Sequence, residues 1–246
     1  MIHAILSDIH ANYEALKVVL EYLYKNSIKS YIIAGDIIGY GPEPIECIDA
    51  VKNLGDSAMV VLGNHDAVIS GKLEIKWFND YARRSIEITK DKIDVERLSW
   101  FYNIPEKIKT EKYTIVHGSP RSPLKEYLLS EWQYVDNVKD VTTNIVFFGH
   151  THIPMYFSTN SDNVAFGDFI KPFGKIRVNG NTKVFINPGS IGQPRDGNSM
   201  ASFGIFDDET MIFELIRLNY DIKKTQELMK KNNIPDFLIE RLEMGY

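Results

Sequence analysis

The chain has 246 residues, 44% of them hydrophobic and 12% aromatic, enough for a packed core and against disorder as the default state. A net charge of −5 excludes an extended basic surface for duplex nucleic acid while leaving room for a local basic site. The single cysteine, Cys47, has no internal disulfide partner and fits a reducing compartment.

In chain order, "HAILSD" predicts a first strand that is cut short by Asp8. No apolar run approaches the roughly 18–20 residues of a membrane span, so a cytoplasmic protein without membrane contact is expected. "NYEALKVVLEYLYKN" follows as a helix, with Leu16, Val19, Leu20 and Leu23 on one face. "SYIIAGD" and "AMVVLGN" read as the next strands, separated by the helical "EPIECIDAVKNL", where Cys47 is a core residue rather than a nucleophile. After "LEIKWFNDYARRSIEI", a third helix, come "YTIVHG", "NIVFFGH" and "KVFINPG". Alternating strands and helices predict parallel strands with right-handed crossovers at least through the third strand.

The later third is expected to be antiparallel and largely β. Asn179-Gly180 in "KIRVNGNTKVFI" is a hairpin signal, and "SFGIFDDETMIFELI" turns around Asp207-Asp208-Glu209 in the same way. A helical tail over 221–246 follows, with Pro235 near the start of its second helix. Two sheets packed face to face and flanked by helices accommodate both halves. Candidate functional residues fall on both sides of any cut, so one domain over 1–246 is expected.

Histidine carries the functional argument. Five of the six histidines sit immediately after apolar runs: His10, His65, His117, His150 and His152, with only His3 outside the pattern. With Asp8, Asp36 and Asn64 beside them, they point to a metal site at strand ends. In "SDIH" an extended backbone projects Asp8 and His10 to the same side, and His150 and His152 in "FFGHTHIP" share that i, i+2 relation. "NPGSIGQPRDG" holds no good metal ligand. It reads as a fixed loop presenting backbone amides or Arg195 to an anion, with a surface salt bridge equally open for Arg195.

These pieces together resemble the calcineurin-like metallophosphoesterases, whose pattern is D-x-H, GD, GNH[DE], a lone His, then GHTH. Here it reads Asp8-x-His10, Gly35-Asp36, Gly63-Asn64-His65-Asp66, His117 and Gly149-His150-Thr151-His152, unaltered and in order. "SDIHAN" and "GDIIGYGPEP" look most similar to the bacterial and archaeal subgroup related to diadenosine tetraphosphatases and serine/threonine phosphatases.

The resemblance implies an α/β fold, a four-layer α/β/β/α sandwich of two mixed β-sheets flanked by helices. It implies two divalent metal ions, the first held by Asp8, His10, Asp36 and His152. The second would be held by Asp36, Asn64, His117 and His150, with Asp36 bridging. His65 would stay free of metal, as a proton donor or electrostatic stabiliser. Oxygen and nitrogen ligands without thiolate suit Mn, Fe, Co, Ni or Zn. The implied activity is hydrolysis of phosphate mono- or diesters by a metal-bridging hydroxide, on a small molecule, a nucleotide or a phosphoprotein. Asp36 and His65 would be its catalytic residues.

Around that centre, Asn12, Tyr40 and Arg195 are candidate substrate contacts, Tyr40 with Gly41 in the loop after Asp36. Asn12 and Asp66 could each orient a histidine ring, although Asn12 reads equally as a helix N-cap. The aromatic and partly basic 165–178 segment reads as an ordinary hairpin rather than a cleft border. A metal-free interaction scaffold on the same fold is the competing reading, and intact ligands and His65 argue against it. A superfamily nuclease would call for a basic groove or a DNA-binding domain, and neither is visible.

Overall fold

A computed structural model describes residues 1–180 and 182–246. The first sheet runs β3 (Ala58–Val60), β2 (Ser30–Ile33), β1 (Ile2–Leu6), β11 (Ala201–Asp207), β12 (Ile212–Leu218), β9 (Lys175–Arg177). The second runs β4 (Lys107–Lys109), β5 (Tyr113–Val116), β6 (Ile145–Phe147), β10 (Val184–Pro188), β7 (Pro154–Thr159), β8 (Ala165–Phe169). Strands β1, β2 and β3 are mutually parallel, and so are β5, β6 and β10. The remaining pairings are antiparallel, so both sheets are mixed.

The period-two alternation of these strands builds the layers. Ile5 and Ile32 face the core between the sheets with Ile115, Phe147 and Phe213, while their neighbours Ala4, Leu6 and Ile33 face helices. That outer core holds Leu16, Val19 and Leu23 of α1 (Tyr13–Lys25) and Cys47 and Ile48 of α2 (Pro44–Lys52). It also takes Ile69 of α3 (Asn64–Ile69), Ile86 of α4 (Asp80–Lys90) and Phe101 of α5 (Val95–Asn103). On the far side Val116, Val146 and Phe148 pack against Tyr134 of α6 (Glu131–Val138). The result is an α/β/β/α sandwich. No helix is long and apolar enough to cross a membrane.

The tail forms α7 (Ile222–Lys231) and α8 (Asp236–Met244), the second capped by Pro235. Met229, Leu238 and Leu242 pack against Tyr40 and Ala82, and Lys224 pairs with Glu14 of α1 at 2.6 Å. The turn at Asp207-Asp208-Glu209 joins β11 to β12 as an antiparallel pair.

The Asn179-Gly180 hairpin is not formed. β9 pairs with β12 in one sheet and β10 with β6 and β7 in the other, so the chain crosses between sheets there; Asn181 lies outside the described residues. The 165–178 segment is no hairpin for the same reason, since β8 and β9 belong to opposite sheets. A turn dipeptide marks a reversal but not whether its arms pair, and here each arm finds a partner strand elsewhere.

Candidate metal centre

All six parallel strands end at one edge of the sandwich, three from each sheet, and the loops leaving them carry the candidate residues. Asp8 and His10 follow β1, Asp36 follows β2, Asn64 and His65 follow β3, His117 follows β5, and His150 and His152 follow β6. The loop after β10 runs alongside: Ile191 N donates to Ser7 O at 3.1 Å and Gly192 N to Asp8 O at 2.9 Å.

The backbone reaches this convergence by a route other than extension. β1 ends at Leu6, and Asp8, His10 and Ala11 have φ of 52°, 49° and 51°; Asp36, His150 and His152 are left-handed as well. The i, i+2 projection of a straight strand therefore does not place these side chains. Tight left-handed turns do, at about 1–2 kcal/mol per non-glycine residue. Gly63 is demanded by contact, because a Cβ there would overlap the Asp36 carboxylate.

The side chains fall into two groups that share Asp36: Asp8, His10, Asp36 and His152, and Asp36, His117 and His150. In each group the candidate ligand atoms lie within 4.8 Å of one another. The shared atom is a single oxygen. Asp36 Oδ2 lies 3.5 Å from His10 Nε2 and 3.3 Å from His117 Nε2, while Oδ1 accepts the His65 backbone N–H at 2.9 Å. Asn64 Oδ1 joins the second group, 2.9 Å from His117 Nε2.

Backbone carbonyls set the imidazole tautomers. The Nδ1–H groups of His10, His117 and His152 donate to Ile38 O at 3.1 Å, Ala34 O at 2.8 Å and Gln193 O at 2.6 Å. For His10 and His152 this leaves each Nε2 a bare lone pair, yet the two face each other at 3.0 Å. His117 Nε2 lies 3.1 Å from His150 Nδ1 and 2.9 Å from Asn64 Oδ1. Acceptors buried face to face repel unless a cation lies between them, so the His10–His152 pair fits a metal ion, and the His117, His150 and Asn64 atoms are suited to hold another.

Electrostatics agree. Burial holds His10, His150 and His152 well below the usual imidazole range, in the neutral form that ligates metals. Burial alone would push Asp36 up, but the facing His117, His65 and His10 hold its carboxyl well below the ordinary range. Desolvation also opposes a proton on His117, and the Asp36 carboxylate overcomes it and raises that ring to about 9. A proton or a metal ion can thus answer the same carboxylate.

His65 stands outside both groups and lines the cleft. Its buried Nδ1 has no partner, and burial lowers the ring to about 4. Tyr40 and Phe78 enclose it at ring-centroid distances of 4.5 and 4.8 Å. Gly39 leaves the room, since a Cβ there would overlap Nδ1.

Of the outer candidates, Tyr40 and Arg195 line the cleft, with the guanidinium 5.7 Å from the Tyr40 ring centroid. Arg195 Nη2 donates to Gln193 Oε1 at 2.8 Å, while its buried Nε has no partner; no carboxylate pairs with it among the described residues. The amides of Ile191 and Gly192 are spent on the β1 loop, which leaves the side chain rather than those amides to meet an anion.

Asn12 lies away from the cleft. Its Oδ1 caps α1 through Ala15 N at 3.2 Å and its Nδ2 donates to Gly192 O at 2.9 Å. Asp66 orients no ring: it accepts from Ile37 N, Ile38 N and Gly63 N, tying the β2 and β3 loops together.

The opposite wall went unread in the sequence. Leu73, Trp77, Phe78, Leu124, Lys125 and Tyr127 complete a cleft of about 150 Å³. Leu73, Trp77 and Phe78 lie in the first half of "LEIKWFNDYARRSIEI", expected to be helical throughout, but α4 begins only at Asp80 and a 3-10 turn precedes it. Leu124, Lys125 and Tyr127 come from an irregular stretch without a helical or strand period.

A model of the calcineurin-like phosphoesterase superfamily domain matches residues 1–211. An uncharacterized protein of Methanocaldococcus jannaschii is 40% identical over 98% of this chain and 97% of its own length. The crystal structure of a metallophosphoesterase from Sphaerobacter thermophilus is 35% identical with a TM-score of 0.88, over 100% of both chains. A symmetrical bis(5'-nucleosyl)-tetraphosphatase of Vibrio vulnificus is 31% identical over 48% of this chain. The match spans only 44% of that enzyme.

Proposed function

The chain belongs to the calcineurin-like phosphoesterase superfamily, and from that premise we propose a dinuclear-metal hydrolase of phosphate mono- or diesters. The observation that carries the reading is the single oxygen Asp36 Oδ2 facing imidazole nitrogens of both groups, with the lone pairs of His10 and His152 opposed beside it. Two divalent ions of Mn, Fe, Ni, Co or Zn would lower the pKa of a shared water and offset charge on the phosphoryl oxygens.

The protein's own groups do the rest. Asp8, His10, Asp36 and His152 would hold one ion, and Asp36, Asn64, His117 and His150 the other. Arg195, with a free buried Nε, would orient a phosphate oxygen from the cleft wall. His65, kept neutral by burial, would give a hydrogen bond from its ring N–H to the leaving oxygen, and an approaching phosphate would raise its basicity enough to carry a proton. Tyr40 braces both His65 and Arg195. No step needs Cys47, which lies on the buried face of α2 with its thiol pushed up by burial.

The test is hydrolysis of bis-p-nitrophenyl phosphate and p-nitrophenyl phosphate by metal-stripped protein, then with Mn²⁺, Ni²⁺, Co²⁺, Zn²⁺ or Mg²⁺ restored, beside Asp36→Asn. Metal-dependent release that Asp36→Asn abolishes is expected, and the ratio of the two substrates ranks diester against monoester. Release independent of metal, or unchanged in Asp36→Asn, would overturn the proposal.

A further inference from the structure

The metal groups and Arg195 account for a phosphate, but not for the aromatic wall opposite. Tyr127 stacks on His150 at a ring-centroid distance of 3.7 Å, which brings aromatic surface directly onto a candidate ligand. Farther out along the same cleft, Trp77 is 62% exposed. Lys125 Nζ lies 4.4 Å from the Trp77 ring centroid. Scattered exposed aromatics are ordinary on a protein surface. Aromatic and cationic side chains that continue a charged cleft outward are not scattered.

The wall is also braced. Trp77 sits in a 3-10 turn (Ile75–Trp77) just before α4, and the neighbouring Phe78 packs edge-on against His65. Tyr127 and Lys125 flank Glu126, whose carboxylate takes Arg121, Ser119 Oγ and, at 3.0 Å, Asn137 Nδ2. A group that must stack on a ligand profits from being held before the ligand arrives.

Resting on the phosphoesterase reading, we propose that Trp77, Lys125 and Tyr127 form a stacking platform for a nucleobase, so that the preferred esters are those of nucleosides. A flat, π-rich base suits an exposed indole, and the ammonium beside it adds attraction for the base face or for a further phosphate. A simple alkyl phosphate would leave this wall unused.

Two diesters with the same leaving group separate the effects: p-nitrophenyl thymidine 5'-phosphate and methyl p-nitrophenyl phosphate, each assayed on metal-loaded protein. The nucleoside ester should show a kcat/KM about tenfold higher, mainly through KM. Trp77→Ala should remove that preference while leaving the methyl ester within about twofold, and Trp77→Phe should restore most of it. Equal rates on the two esters in the unmodified protein would overturn the proposal. So would a Trp77→Ala variant that slows both alike, which would assign the indole to the nitrophenyl group or to the fold. Hydrolysis of neither ester by metal-loaded protein would instead refute the phosphoesterase reading itself.

Discussion

Asp66→Asn isolates the frame of the site from its ligands. Asp66 is fully buried and accepts three backbone N–H groups, from Ile37 at 3.1 Å, Ile38 at 3.2 Å and Gly63 at 3.1 Å. An asparagine oxygen turned toward Ile37 and Ile38 leaves its amino group pointing at the Gly63 N–H, donor against donor. Burial raises the Asp66 carboxyl to about 7, so it is only partly ionised near neutral pH. The loss is one hydrogen bond, about 0.5–1.5 kcal/mol, plus a buried N–H without a partner, about 1–3 kcal/mol. Together these predict destabilisation of about 3 kcal/mol. Denaturant unfolding in the presence of chelator measures it without any contribution from bound metal, as a lower midpoint at unchanged slope. Metal affinity should fall by about tenfold, because the β2 and β3 loops carry Asp36 and Asn64. A change below 1 kcal/mol in chelated protein would refute the reasoning. Abolished metal binding at undiminished stability would make Asp66 a ligand instead.

His65→Ala should lower turnover by about 10²–10⁴ with metal content unchanged, the range for a lost proton donor; loss of metal on elemental analysis would place His65 among the ligands. The hydrogen bonds from Arg121 hold Glu126 down at about 2 in the folded protein, from 4.5. Its contribution to stability is therefore complete above pH 4.5 and is lost as pH falls from 4.5 toward 2. Unfolding followed across that window should show a shallower acid loss in Glu126→Gln than in the unmodified protein, and parallel curves would exclude Glu126 as a source of acid lability.

The eight strands read from β-branched and aromatic runs are all present, because each run closes at Gly, Asn, Asp or Pro. β4, three residues and partly exposed, carries too little pattern to be seen, and β7 was not read behind the His150–His152 turn; β8 and β9 were read as arms of hairpins they do not form, because each pairs in a different sheet. The gathering of Asp8, Asp36, Asn64 and the five histidines was legible because the parallel strands of each sheet deliver their ends to one edge. The left-handed turns that aim them were not legible: nothing in "SDIH" distinguishes φ of 52° at Asp8 from extension. Asp66 was misread for a related reason, since two of its three partners are backbone amides 28 and 29 residues away, which no local spacing reveals. The wall of Trp77 and Tyr127 escaped because a base platform needs position in space, not a motif.

Because the two sheets contribute candidate ligands to common groups, bound ions would have a mechanical role beside their chemical one. Asp8 and His10 leave one sheet and His152 the other, so an ion held by all three is a clasp across the sandwich edge. By mass action, its binding energy would be added to the cohesion between the sheets, in proportion to the logarithm of ion concentration over Kd. An ion could then leave readily only when that edge gapes. Metal exchange and opening of the sandwich would share one barrier, and the rate of metal loss to a chelator would serve as a gauge of how often the fold breathes.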